Sequence, residues 1–187
     1  MRFALAALSA AALATLAGCS DPVPQTPDGA FILTTTQPDP LQCLISGHTA
    51  QVGSVDSGKI TNSIIDGTMM TSIDCNVAGT GTFNAYGKID DTVNSGNYLE
   101  IQINSISSGA TKDAPAAGTA VFSGTFTAGE PYQGNCNFYF EGKEKVDAGK
   151  IWVSFDCPGL IGQSGMSTCP VPQAIAVFEN CLQTSAM

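Results

Sequence analysis

The chain has 187 residues and a formal net charge of −9, with seven Lys+Arg against 16 Asp+Glu. So little positive charge excludes a nucleic-acid binder, since gripping phosphates needs dense Lys and Arg. The one arginine, Arg2, leaves nothing for the bidentate capture of carboxylates or phosphates.

In chain order, the first segment is a secretory signal over 1–18: Arg2 supplies the positive start, and Phe3 to Leu16 is apolar apart from Ser9 and Thr15. This run is shorter than the roughly 20 residues a bilayer span requires. It ends in Leu16-Ala17-Gly18-Cys19, which resembles the lipobox of bacterial lipoproteins. The resemblance covers only these 19 residues. It implies a diacylglycerol (and hence palmitate-like chains) on the Cys19 sulfur, cleavage before Cys19 and acylation of the new amine. Two or three acyl chains give stable membrane anchoring, at roughly 0.8 kcal/mol per buried CH₂. In such lipoproteins an aspartate directly after the cysteine favours the inner membrane. Ser20 stands there and Asp21 follows, so the resemblance implies a lipid-anchored protein of the cell envelope, in the outer membrane.

Removing 18 residues leaves a mature chain of 169, with six Lys and a charge near −10. Residues 19–29 carry the lipidated cysteine and a Pro-rich, disordered tether, and 30–187 form one domain. From Ala30 onward, β-branched and aromatic runs alternate with Gly, Asn, Ser and Asp clusters, without helical periodicity. Strands are predicted over 30–36, 41–46, 48–54, 68–77, 80–89, 97–104, 118–127, 134–142, 149–157 and 173–179, with looser segments at 55–67 and 105–117. Leu99, Ile101 and Ile103 share one face, and Glu100, Gln102 and Asn104 the other. This pattern predicts an all-β fold, an antiparallel β-sandwich stabilised by disulfides.

Apart from Cys19, six cysteines remain: Cys43, Cys75, Cys136, Cys157, Cys169 and Cys181, an even number that suits three disulfides in an exported protein. One hairpin can be put in register. If opposite residues of 135–140 and 151–157 sum to 293, Phe138 faces Phe155, Phe140 faces Val153 and Cys136 faces Cys157. The connection then centres on Val146-Asp147. Opposed residues at about 4.5 Å suit a disulfide, which predicts Cys136–Cys157. Proximity in sequence suggests Cys169–Cys181, leaving Cys43–Cys75.

The chain lacks the common catalytic patterns. His48 is the single histidine, so Ser-His-Asp and Cys-His arrangements and structural zinc have too few imidazoles. Gly162-Gln163-Ser164-Gly165 does not have the spacing of a nucleophile elbow. Asp74, Glu100, Glu141, Asp156 and Glu179 lie on predicted strands, and a carboxylate-dependent glycoside hydrolase needs two of them in one cleft. The stretch Asp90 to Asn97 is rich in oxygen ligands but lacks the calcium-loop pattern, and its residues equally suit a tight turn. No catalytic residue, metal or cofactor is predicted.

The same hairpin offers a candidate binding surface. Tyr139, Glu141, Trp152 and Asp156 share its outer face, where aromatic rings beside polar groups stack sugars or form a protein hot spot, or else pack beneath a long loop. The leading reading is a non-enzymatic envelope lipoprotein, structural or partner-binding. A carbohydrate-binding module on the cell surface is the alternative, and the hydrolase a distant third. Expected partners are the membrane, through the lipid on Cys19, and an envelope protein or glycan.

Overall fold

The computed structural model describes residues 25–56 and 59–184; the signal segment, Cys19 and the tether up to residue 24 lie outside the described residues. The fold is all-β. Its strands are β1 (Asp28–Thr35), β2 (His48–Val52), β3 (Ser54–Asp56), β4 (Lys59–Asn62), β5 (Ile64–Ile65), β6 (Ser72–Thr80), β7 (Thr82–Asp91), β8 (Asn97–Ser107), β9 (Ala116–Ser123), β10 (Tyr132–Tyr139), β11 (Lys145–Asp147), β12 (Lys150–Gly162) and β13 (Thr168–Glu179). Among the described residues, the only helical pieces are short 3-10 turns at Thr68–Met70 and Thr125–Thr127. No helix among the described residues is long and apolar enough to cross a membrane.

The long strands form one continuous antiparallel sheet in the order β2-β1-β13-β12-β10-β9-β8-β7-β6, curled into a half-barrel. Neighbours in this order are neighbours in sequence except where β1 joins β13 and where β12, which also pairs β11, joins β10, a connection pattern dominated by simple hairpins. The β6 edge is covered: Val77 N donates to Leu182 O at 2.8 Å, Leu182 N to Cys75 O at 3.0 Å, and Gly149 N to Val77 O at 2.9 Å. Such coverage blunts an edge that would otherwise pair with other chains.

Strand alternation builds the core. Phe31, Leu33, Ile89, Leu99, Ile101, Phe122, Phe138, Val153, Phe155 and Phe178 all point into the curl and are fully buried. A second, small cluster lies on the outside of β1 and β13, where Ala30, Val55, Ile175 and Val177 pack with Ile32 and Trp152. The core accepts its rings by leaving glycine opposite them. A Cβ at Gly87 would sit 2.4 Å from Phe178 Cε2, so β7 and β13 approach closely only because Gly87 has no side chain. Gly87→Ala is therefore expected to cost about 1–3 kcal/mol by overpacking. Adding Phe178→Leu should recover part of that loss, as a double-mutant cycle in chemical denaturation would read.

The predicted hairpin register is present, with Asn137 opposite Asp156, Phe138 opposite Phe155 and Tyr139 opposite Ser154. Cys136–Cys157 is a disulfide, with Cα atoms 4.2 Å apart. The expected connection is corrected. β10 stops at Tyr139, and β11 takes its place beside β12, Val146 opposite Ile151, with the turn at Ala148–Gly149. Phe140 leaves the ladder and its N–H donates to Ala110 O at 3.1 Å.

The other two expected disulfides are wrong. The pairs are Cys43–Cys169 and Cys75–Cys181. Cys169 and Cys181 cannot meet because β13 starts at Thr168, earlier than expected, and keeps them at opposite ends of one extended strand, about 40 Å of chain apart. The predicted strand 41–46 is instead a loop laid against the start of β13: Thr168 N donates to Gln42 O at 2.7 Å and Leu44 N to Ser167 Oγ at 2.9 Å, which brings Cys43 to Cys169.

Candidate binding surface

The expected outer hairpin face does not form a free stacking surface. Tyr139 is 1% exposed, and Lys112, from the loop between β8 and β9, places its ammonium 5.6 Å from the ring centroid. Burial, with Asp156, Glu141 and Glu144 nearby, pushes the Tyr139 phenol up to about 12. Trp152 is half-buried in the small outer cluster, and its Nε1 finds no acceptor among the described residues. Asp156 Oδ2 accepts from Asn137 Nδ2 at 3.1 Å, and Glu141 is half-buried with its N–H donating to Glu144. Tyr139 thus lies beneath a long loop.

Glu144 is the residue that sequence reasoning missed. It lies in the charged turn Glu141-Gly142-Lys143-Glu144-Lys145, which reads as solvent-facing, yet it is 7% exposed. Its Oε2 accepts from the N–H of Glu141 at 2.7 Å and of Ser154 at 3.1 Å, and Oε1 accepts from Ser154 Oγ at 2.7 Å. The carboxylate satisfies backbone donors where β10 has ended. Desolvation raises its pKa against the opposing pull of these hydrogen bonds.

The Asp90–Asn97 stretch is the β7–β8 turn, and it uses its oxygens internally. Asp91 Oδ1 accepts from Thr71 Oγ1 and Asn94 Nδ2, while Asp91 O accepts from the N–H groups of Asn94, Ser95 and Gly96. Burial raises the Asp91 pKa, but the bonds from Asn94, Ser95 and Thr71 outweigh it and hold the carboxyl below its ordinary value. Among the described residues, no three His, Cys, Asp or Glu side chains are grouped to hold a metal ion. His48, at the start of β2, packs on Phe126 with ring centroids 4.3 Å apart.

A polar surface lies on the outer side of β6 to β10. Because residues two apart share a face, the register aligns one side chain from each strand. Asn76 lies opposite Tyr86, Tyr86 opposite Gln102, Gln102 opposite Thr119, and Thr119 opposite Asn135. At a strand spacing of about 4.8 Å this row is about 19 Å long. Two shallow clefts lie along it. One of about 330 Å³ is bounded by Asn76, Asn84, Tyr86, Gln102, Asn104 and Thr184. The other, of about 680 Å³, is bounded by Thr119, Val121, Gln133, Asn135, Pro158 and Ile161 among others.

A neighbouring row is charged: Asp74, Lys88 and Glu100 lie opposite one another in turn. Lys88 Nζ is 5.8 Å from the Tyr98 ring centroid, and the Tyr98 hydroxyl donates to Glu100 Oε2. Burial first, then Glu100, raises the pKa of both Tyr86 and Tyr98. Asn76 donates through Nδ2 to Thr184 O and Oγ1 at 3.0 and 2.9 Å, while its buried Oδ1 has no donor among the described residues. Beyond Asn76, the row presents the Gln102 and Asn135 amides and the Thr119 hydroxyl with a half-buried tyrosine, a set suited to hydrogen-bonding an uncharged polar ligand or a protein backbone. No protein-family model, no curated protein and no solved structure matches this chain.

Proposed function

We propose that this chain is a lipid-anchored lipoprotein of the bacterial envelope, held by acyl groups on Cys19 in the outer membrane, and that it acts by binding rather than catalysis. The observation that carries the binding reading is the row Asn76–Tyr86–Gln102–Thr119–Asn135 with its two clefts. The lipobox-like Leu16-Ala17-Gly18-Cys19 supports the anchor. The reading of this half-barrel as a sandwich is supported by the approach of the Phe178 ring on β13 to Gly87 on β7.

A glycan is the second reading of the partner, favoured by the uncharged amides and the tyrosine in the row. A test uses the secreted Cys19→Ser chain, titrated with neutral oligosaccharides and, separately, photo-crosslinked from position 102 in intact envelopes. Tyr86→Ala and Gln102→Ala should each weaken binding about tenfold, a loss of about 1.4 kcal/mol. Gln102→Ala, at an exposed position, should leave stability within about 0.5 kcal/mol, while Tyr86→Ala, half-buried on β7, should cost about 1 kcal/mol without unfolding the sheet. Saturable oligosaccharide binding identifies a carbohydrate-binding module, and a crosslinked protein identifies a protein partner. Binding indifferent to both substitutions would remove this face as the site.

A further inference from the structure

The end of the domain where the chain enters from its anchor carries large apolar side chains on two adjoining loop tips. Ile65, Met69, Met70 and Val93 are 55%, 77%, 70% and 63% exposed. The tips are tied together, since Asn94 Nδ2 donates to Met69 O at 2.7 Å. They also sit beside the incoming chain: Asp66 N donates to Pro27 O at 2.9 Å, and Asp28 and Gly29 pair with Ile65 and Ile64. Met69 and Met70 hold left-handed backbone, φ 51° and 65°, a conformation unfavourable for side chains of this size. Two strained, water-facing methionines in succession contribute little to folding.

If the proposed acyl groups sit on Cys19, covalent geometry keeps this end near the membrane that holds them. From Cys19 to Pro27 is eight residues, which reach at most about 30 Å even fully extended. A second exposed apolar group, Leu41, Leu44 and Met166, lies at the far end of β1, another 27 Å or so away along an eight-residue strand. We propose that the end bearing Ile65, Met69, Met70 and Val93 docks on the bilayer that holds the chain's own acyl groups, burying these side chains in the interfacial region of zwitterionic phospholipid. Asp28, Asp66, Asp90 and Asp91 at this end disfavour an anionic surface. Docked in this way, the sheet stands on the membrane and the outer row of β6 to β10 faces sideways, open to a partner. The inference rests on the lipid anchor proposed above.

The native methionines report the contact. The full chain, lipidated in a bacterial host and reconstituted in phosphatidylcholine vesicles, is treated with dilute peroxide, and sulfoxide formation is followed peptide by peptide. Met69 and Met70 should oxidise several-fold more slowly on vesicles than in the Cys19→Ser chain free in solution, while Met166 oxidises equally in both. A chain that floats with the vesicles but oxidises Met69 and Met70 at the free rate overturns the docking and leaves the anchor intact. A chain that does not float removes the anchor, and the docking with it. Protection that grows with concentration in the free chain would assign the patch to a second copy and overturn the proposal.

Discussion

Replacing Cys75 and Cys181 together by alanine should lower the melting temperature by about 10–20 °C, from a loss of about 5 kcal/mol. The size follows from the length of chain the bond closes. The cysteines are 106 residues apart, so the crosslink removes a large loop entropy from the unfolded chain. Cys43–Cys169, at 126 residues, belongs to the same class, whereas Cys136–Cys157 closes only 21 and should be worth about 3 kcal/mol. Native-state effects should separate the two long bonds. Cys75–Cys181 fastens the segment that hydrogen-bonds along the β6 edge, and its loss should also expose that edge, seen as faster amide exchange at Val77 and Leu182. Cys43–Cys169 holds the loop laid against the start of β13, and its loss should speed exchange at Thr168 while leaving Val77 and Leu182 unchanged. Differential scanning calorimetry of the three paired variants measures the ranking, and equal losses from all three would contradict it.

Glu144→Ala is expected to cost about 2–4 kcal/mol of folding stability. Its removal strands the N–H groups of Glu141 and Ser154 and the Ser154 hydroxyl in a buried site, and each unsatisfied group costs about 1–3 kcal/mol, part of which water entering the gap offsets. Glu144→Gln keeps an acceptor of the same shape and should be nearly neutral. The pair also has a pH signature. The folded pKa of Glu144 lies above its ordinary value of 4.5, so the folded state binds the proton more tightly than the unfolded state. Stability from this group is greatest at low pH and falls as pH rises through the window between 4.5 and the raised value. Asp91 acts in the opposite sense: its pKa is lowered from 3.8, so its contribution is present above that value and is lost as pH falls below it. Urea denaturation across pH 3–7 should show Glu144→Gln abolishing the fall on the mildly acidic side while leaving the Asp91 loss in place. An unchanged profile in Glu144→Gln would show that Glu144 does not titrate differently on folding.

Alternation made the strands and their phase legible. Leu99, Ile101 and Ile103 face inward and Gln102 outward as the two-residue period requires, and the Cys136–Cys157 bond followed because one register satisfied both the apolar faces and the cysteines. Elements set by other means were not legible. Met69 and Met70, expected in a strand, form a tight left-handed turn held by Asn94 from another hairpin. Glu144 looked like an exposed turn residue because its burial depends on β10 stopping short and leaving donors of β12 to be satisfied.

Local patterning along the chain carried the all-β class, the inward and outward faces of the main strands, the pairing of cysteines into disulfides and the lipobox-like start. Tertiary structure alone decided the partners of four cysteines, the covering of Tyr139 by the Lys112 loop and the assembly of one polar row from five strands. The physical reason is that side-chain period is a local property of extended chain. Which strands become neighbours, and which loops fold over them, is settled by contacts between residues up to 152 positions apart, to which no local period is sensitive.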